Sequence, residues 1–190
     1  MSRPLMLSIQ HSRFILDFLD KKTCVTTFEK WVYSEIGLES ELSSECYLAC
    51  ISLNFKSPQI YHDVLTLLDQ HIDYGSVHKE DIIAILNRML AQQEPLSDLL
   101  HLIYKYCELG YEFLAANIII ANFGEQGKSI VHKIHGKPTI EQYDIALLVD
   151  PEFLNWLEVK RNKIISGKYI FTGKKVRVNS WAVYFEYTEA

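Results

Sequence analysis

The residues of this chain that could do chemistry gather in one stretch, Gly124-Glu125-Gln126-Gly127-Lys128-Ser129. A phosphate cradle needs glycines for close backbone approach, convergent N–H groups, a lysine on the phosphoryl oxygens and a hydroxyl on magnesium. Gly124, Gly127, Lys128 and Ser129 supply part of that set, behind the apolar run Ile118-Ile119-Ile120-Ala121. The glycine that would open the cradle is replaced by Asn122, and the carboxylate that could hold a metal, Asp150, runs directly into Pro151. The sequence before the motif reads as helix, whereas this chemistry sits in a βαβ sheet. The preferred reading is a Gly-rich solvent loop, with nucleotide binding kept as the enzymatic alternative.

Other chemistry is thinner. His132 and His135 are three apart, but no carboxylate stands at a spacing that completes a metal site with them, and no HExxH occurs. His71 and His78 flank a turn, and His11, His62 and His101 are isolated in sequence. Cys24, Cys46, Cys50 and Cys107 show no zinc-like pairing. Cys46 and Cys50 sit in an apolar run, which suits buried thiols in a reducing compartment. No GxSxG or other activated-nucleophile context is present. No catalytic residue, metal or cofactor is expected, and the chain is read as a non-enzyme.

With 190 residues and 48% hydrophobic content, the chain can fill one full core. Eight glycines and five prolines are too few for a many-stranded sandwich. No stretch approaches a membrane span, and the opening residues are too short for a signal-peptide core. A cytoplasmic location follows as the expectation. The net charge of -5 is unevenly placed. Seven basic residues against Glu186 and Glu189 follow from Lys160 onward, so the acidic excess lies in residues 1–159. Such a body repels phosphate backbones and steers a basic partner; direct nucleic-acid binding and membrane association are not expected.

The apolar periodicity predicts helices over 8–20, then from Thr26 or Thr27 with Gly37 as its stop, then Ser40–Phe55. Ser57-Pro58 opens another, Asp73–Ser76 is a turn, His78–Gln93 is a helix, and Pro95 begins one that Gly110 interrupts or places at a close crossing. The stretch Gly110–Phe123 reads as a buried helix, with a strand still open. After the Gly124–Pro138 loop, a last helix starts at Pro138 or Thr139, and Pro151 breaks it. Residues 163–187 then turn rich in β-branched and aromatic residues, with Thr172-Gly173-Lys174 as the turn of a hairpin. The fold class is mainly α: a single-domain helical array with a small C-terminal β-hairpin, 1–160 forming the helical body and 161–190 the appendix.

The phrases Thr27-Phe28-Glu29-Lys30-Trp31-Val32-Tyr33, Leu38-Glu39, and Glu45-Cys46-Tyr47-Leu48-Ala49-Cys50-Ile51-Ser52-Leu53-Asn54-Phe55-Lys56 resemble the opening of small bacterial immunity proteins of polymorphic or contact-dependent toxin systems. The resemblance continues at Cys107-Glu108-Leu109-Gly110-Tyr111-Glu112-Phe113-Leu114, and at Asn155-Trp156-Leu157 with Ser166-Gly167-Lys168-Tyr169-Ile170. Gly124–Pro138 departs from it. The resemblance implies stoichiometric binding and neutralisation of a cognate toxin, with no catalytic residues and no cofactor. A basic toxin fits the acidic body. The candidate partner-binding residues are Glu39, Glu41, Glu45, Asp69, Asp73, Tyr74 and Tyr111, acidic groups for steering and tyrosines for anchoring. Asp69 and Asp73 are expected on one helix face, where like charges repel. Tyr104, Tyr106 and Trp156 also fall near helix ends or turns, and for each aromatic a core role competes with a surface one. A non-catalytic adaptor or structural interaction protein is the alternative.

Overall fold

A computed structural model of the chain describes residues 5–92, 94, 96–114, 151–177 and 183–190. It is a mainly helical array with a small antiparallel hairpin at its C-terminal end. The described helices are α1 (Ile9–Leu19), α2 (Val25–Ser34), α3 (Ile36–Glu41), α4 (Ser44–Ile51), α5 (Ile60–Leu68), α6 (Tyr74–Ala91), α7 (Leu96–Glu108) and α8 (Pro151–Ile165). A 3-10 turn covers Glu112–Leu114, and the strands are β1 (Tyr169–Arg177) and β2 (Val183–Glu189). Two compact units result, Met1–Val77 and His78–Ala190, and the division falls within α6.

The first unit is built from short amphipathic helices around an aromatic nucleus. Phe18 stacks on Phe28 at 3.9 Å between ring centroids and on Tyr61 at 4.7 Å, while Phe14 meets Trp31 at 4.6 Å. Ile15, Val32, Leu38, Val64 and Leu68 close the core around these rings. A fully buried side chain of this size contributes about 1.5–3 kcal/mol. Serine and aspartate side chains begin several of the helices. Ser8 accepts the His11 N–H, Ser43 accepts the Cys46 N–H, and Asp73 accepts the Ser76 N–H, each satisfying a donor that the first helical turn leaves over.

Several expected boundaries shift. Helix α2 starts behind Cys24 rather than at Thr26 or Thr27, and it ends at Glu35. Gly37 lies inside α3 and is not a stop. A Cβ there would meet His11 Cε1 at 3.0 Å, so the glycine serves close approach. The expected helix over Ser40–Phe55 is broken at Leu42, whose extended backbone (φ -109°, ψ 161°) accompanies a buried side chain before Ser43 caps α4. Pro58 sits in the turn ahead of α5, and Asp73–Ser76 is the start of α6 rather than a turn. Asp69 caps the end of α5 and Asp73 precedes α6, so the two carboxylates do not share a helix face.

In the second unit the rings of Tyr111, Phe113, Tyr169, Phe171, Phe185 and Tyr187 pack as one cluster, with Phe113 stacked on Tyr169 at 4.1 Å. Lys160 lies 5.6 Å from the Tyr169 ring centroid and donates to its hydroxyl at 3.3 Å. Gly110, at φ 101°, is the close crossing: an added Cβ would stand 2.8 Å from Tyr184 Cβ, and the neighbouring Leu109 carbonyl accepts the Phe185 N–H at 2.7 Å. Helix α8 starts at Pro151, a residue suited to a first turn, and continues to Ile165, past the expected start of the appendix. The hairpin pairs Tyr169 with Glu189 and Arg177 with Val183. Thr172–Lys174, expected as the turn, is a bulge inside β1 with Gly173 at φ 67°. There the Thr172 hydroxyl donates to the Glu186 carbonyl at 2.8 Å. The buried helix expected over Gly110–Phe123 begins instead as a turn and the 3-10 segment Glu112–Leu114. Its remainder, the residues joining the strands, the part before Pro151 of the helix expected from Pro138 or Thr139, and the Gly124–Pro138 loop lie outside the described residues.

Candidate interaction face

The acidic residues singled out in sequence divide by what they touch. Glu39 and Glu45 are exposed, in the first turns of α3 and α4. Glu41 is engaged within the chain: it accepts the Ser8 N–H at 2.7 Å and meets His11 Nδ1 at 2.8 Å. Burial pushes the Glu41 carboxyl upward, but the Ser8 N–H and the His11 ring outweigh it and hold it below the usual carboxylate range. Glu35 approaches the other side of the same ring, its Oε1 3.5 Å from Nε2, and the same oxygen accepts the Gly37 N–H at 3.3 Å. Asp69 accepts the Tyr74 hydroxyl at 2.8 Å, and Asp73 begins α6.

The two candidate tyrosines are core residues. Tyr74 is buried in the first unit, and burial pushes its hydroxyl pKa upward. Tyr111, in the second unit, is fully buried, with its hydroxyl 2.9 Å from His78 Nδ1. Neither presents its ring to a partner. Other large apolar groups do reach solvent, in both units, among them Leu5, Met6, Ile165 and Ile170; on α2, α3 and α4 they are Tyr33 at 57%, Ile36 at 91% and Leu48 at 57% exposure. Ile36 is in phase with Phe28 and Val32 and would lie on their buried side if α2 continued to Gly37. The break at Glu35 turns it outward instead, and nothing in the local pattern announced that break.

These three side chains stand on three helices that follow one another in the chain. The Tyr33 hydroxyl donates to the Ile51 carbonyl at 3.1 Å, fastening the end of α2 to the end of α4. The chain between those residues therefore folds back on itself as α3 and α4, which pack together. Ile36 opens α3 beside this closure, and Leu48 lies one turn before Ile51. From Trp31 to Phe55 the sequence holds Glu35, Glu39, Glu41 and Glu45 and no lysine or arginine.

Nearby thiols are structural. Burial pushes the Cys46 thiol up and that of Cys50 up to about 12, and Cys46 Sγ lies 3.7 Å from His71 Nε2. The opposite ring nitrogen of His71 is 2.8 Å from the Leu5 carbonyl oxygen, so it carries the proton and donates. No group of three or more His, Cys, Asp or Glu able to hold a metal ion occurs among the described residues. Gly124, Gly127, Lys128, Ser129, His132 and His135 lie outside them. No described helix is long and apolar enough to cross a membrane. No protein-family model, curated protein or solved structure matches this chain.

Proposed function

We propose that this chain is an immunity protein that binds a cognate bacterial toxin stoichiometrically and neutralises it in the cytoplasm of the producing cell. The observation that supports the reading best is the run from Trp31 to Phe55, with four glutamates and no basic residue on adjoining short helices. An acidic surface repels nucleic acid and anionic lipid and accelerates encounter with a basic protein. Neutralisation then needs no chemistry from the immunity chain. It needs only a complex that covers the toxin's active site or blocks a movement the toxin requires.

The test is co-expression with the product of the adjoining reading frame. The two proteins should co-purify in a 1:1 complex, and the chain should restore growth to cells expressing that product. Absence of both co-purification and rescue would overturn the proposal. ATP or GTP binding by the wild-type chain that Lys128→Ala abolishes would favour the nucleotide-binding enzyme instead.

A further inference from the structure

The exposed apolar residues of α2, α3 and α4 identify a docking surface more narrowly than charge does. Single exposed apolar side chains are ordinary on a protein surface. Here the hydrogen bond between Tyr33 and Ile51 joins the ends of α2 and α4, the helices that carry the exposed Tyr33 and Leu48, and the exposed Ile36 opens the short helix between them. Ile36 is almost wholly in water, although two residues from it the Leu38 side chain is fully buried. The Tyr33 ring is already held by its hydroxyl and by edge contact with Phe55, at 6.0 Å, so little freedom is lost when a partner covers it. Glu39 and Glu45, both exposed, stand on the same two helices as Ile36 and Leu48.

An apolar centre with an acidic, solvated rim is the layout of a protein-binding patch. Its charge narrows the occupant. An anionic lipid surface and a nucleic acid are both repelled by it, and the same patch on a second copy would meet like charge. Resting on the partner-binding reading above, we propose that a basic protein segment docks here. Apolar side chains of that segment cover Tyr33, Ile36 and Leu48, while flanking Lys or Arg side chains reach Glu39 and Glu45.

The test uses the full chain, labelled with 15N, and two defined probes: an amphipathic leucine–lysine peptide and an oligolysine of equal charge. The leucine–lysine peptide should shift the amides of residues 33–48, and the oligolysine should bind at least about tenfold more weakly. Ile36→Ser and Leu48→Ser change exposed side chains, so they should fold normally and each weaken the peptide by about tenfold. Glu39→Gln with Glu45→Gln should slow association and flatten its salt dependence. Several results overturn the surface: no binding of the leucine–lysine peptide, shifts scattered over the chain, equal binding of the two probes, or self-association of the free chain in sedimentation. The two proposals fail separately. Growth rescue that survives Ile36→Ser with Leu48→Ser would move the interface elsewhere and keep the immunity reading, whereas absent rescue by the wild type would remove that reading itself.

Discussion

His78 is a titratable ring enclosed by other rings. Tyr106, Tyr111 and Phe185 meet it edge-on at 5.5, 5.6 and 4.6 Å, and its Nδ1 is 2.9 Å from the Tyr111 hydroxyl. Burial lowers its pKa to about 4; Asp81 opposes the shift, while Lys105 and Lys175 add to it. Between about pH 6.5 and 4 the unfolded chain binds this proton and the folded one does not, so stability falls as pH falls through that window. The loss approaches roughly 3 kcal/mol and should be visible in denaturant titrations across that range. In His78→Gln the slope should flatten. Thiol chemistry separates in the same residue-by-residue way. Cys24 is exposed, and a hydrogen bond with the Thr27 hydroxyl lowers its pKa, whereas Cys50 is buried with its pKa raised to about 12. A thiol reagent at neutral pH should label Cys24 first and reach Cys50 only on unfolding. Gly110→Ala places a Cβ against Tyr184 and forces a positive φ on alanine, which should destabilise the chain by about 1–3 kcal/mol.

Elements in this chain end where a side chain intercepts the backbone. Ser43 accepts the Cys46 N–H at 3.2 Å, so Ser43→Ala should cost about 1 kcal/mol and fray α4, read by amide exchange at Cys46 and Tyr47. Long stripes were legible in sequence: α1, α6 and α7 follow their apolar spacing, and Gly110, open in sequence as an interruption or a close crossing, lies at a crossing. Local breaks were not. Leu42 is apolar and in phase with a continuing helix, yet its burial is achieved with an extended backbone, a choice made by tertiary packing that propensity does not record. The hairpin shows the same limit. Gly173 marked a turn by composition, but the strand absorbs it as a bulge because Thr172 hydrogen-bonds across to Glu186. The candidate site suffered most. Tyr74 and Tyr111 looked available because each lies near a helix end, and both are spent on the core, while the exposed Ile36 depended on an unsignalled bend at Glu35.

At the scale of the whole molecule, charge is segregated along the chain, with a basic excess after Val159 and no lysine or arginine among the glutamates between Trp31 and Phe55. Association with a basic partner should therefore slow as salt rises, while dissociation, governed by the apolar centre, changes little; stopped-flow mixing at several ionic strengths separates the two. One tie described above extends this to a distant part of the chain. Glu41 of α3 accepts the Ser8 N–H, while His71 holds the Leu5 carbonyl through its ring and the Leu7 N–H through its own carbonyl. The lead-in to α1 thus works as a guy-rope on the short helix that carries Ile36. Cloning choices that trim or crowd Leu5–Ser8 should loosen α3 and dull recognition from afar, so a fusion placed there and one placed after Ala190 should give unequal affinities for the same partner.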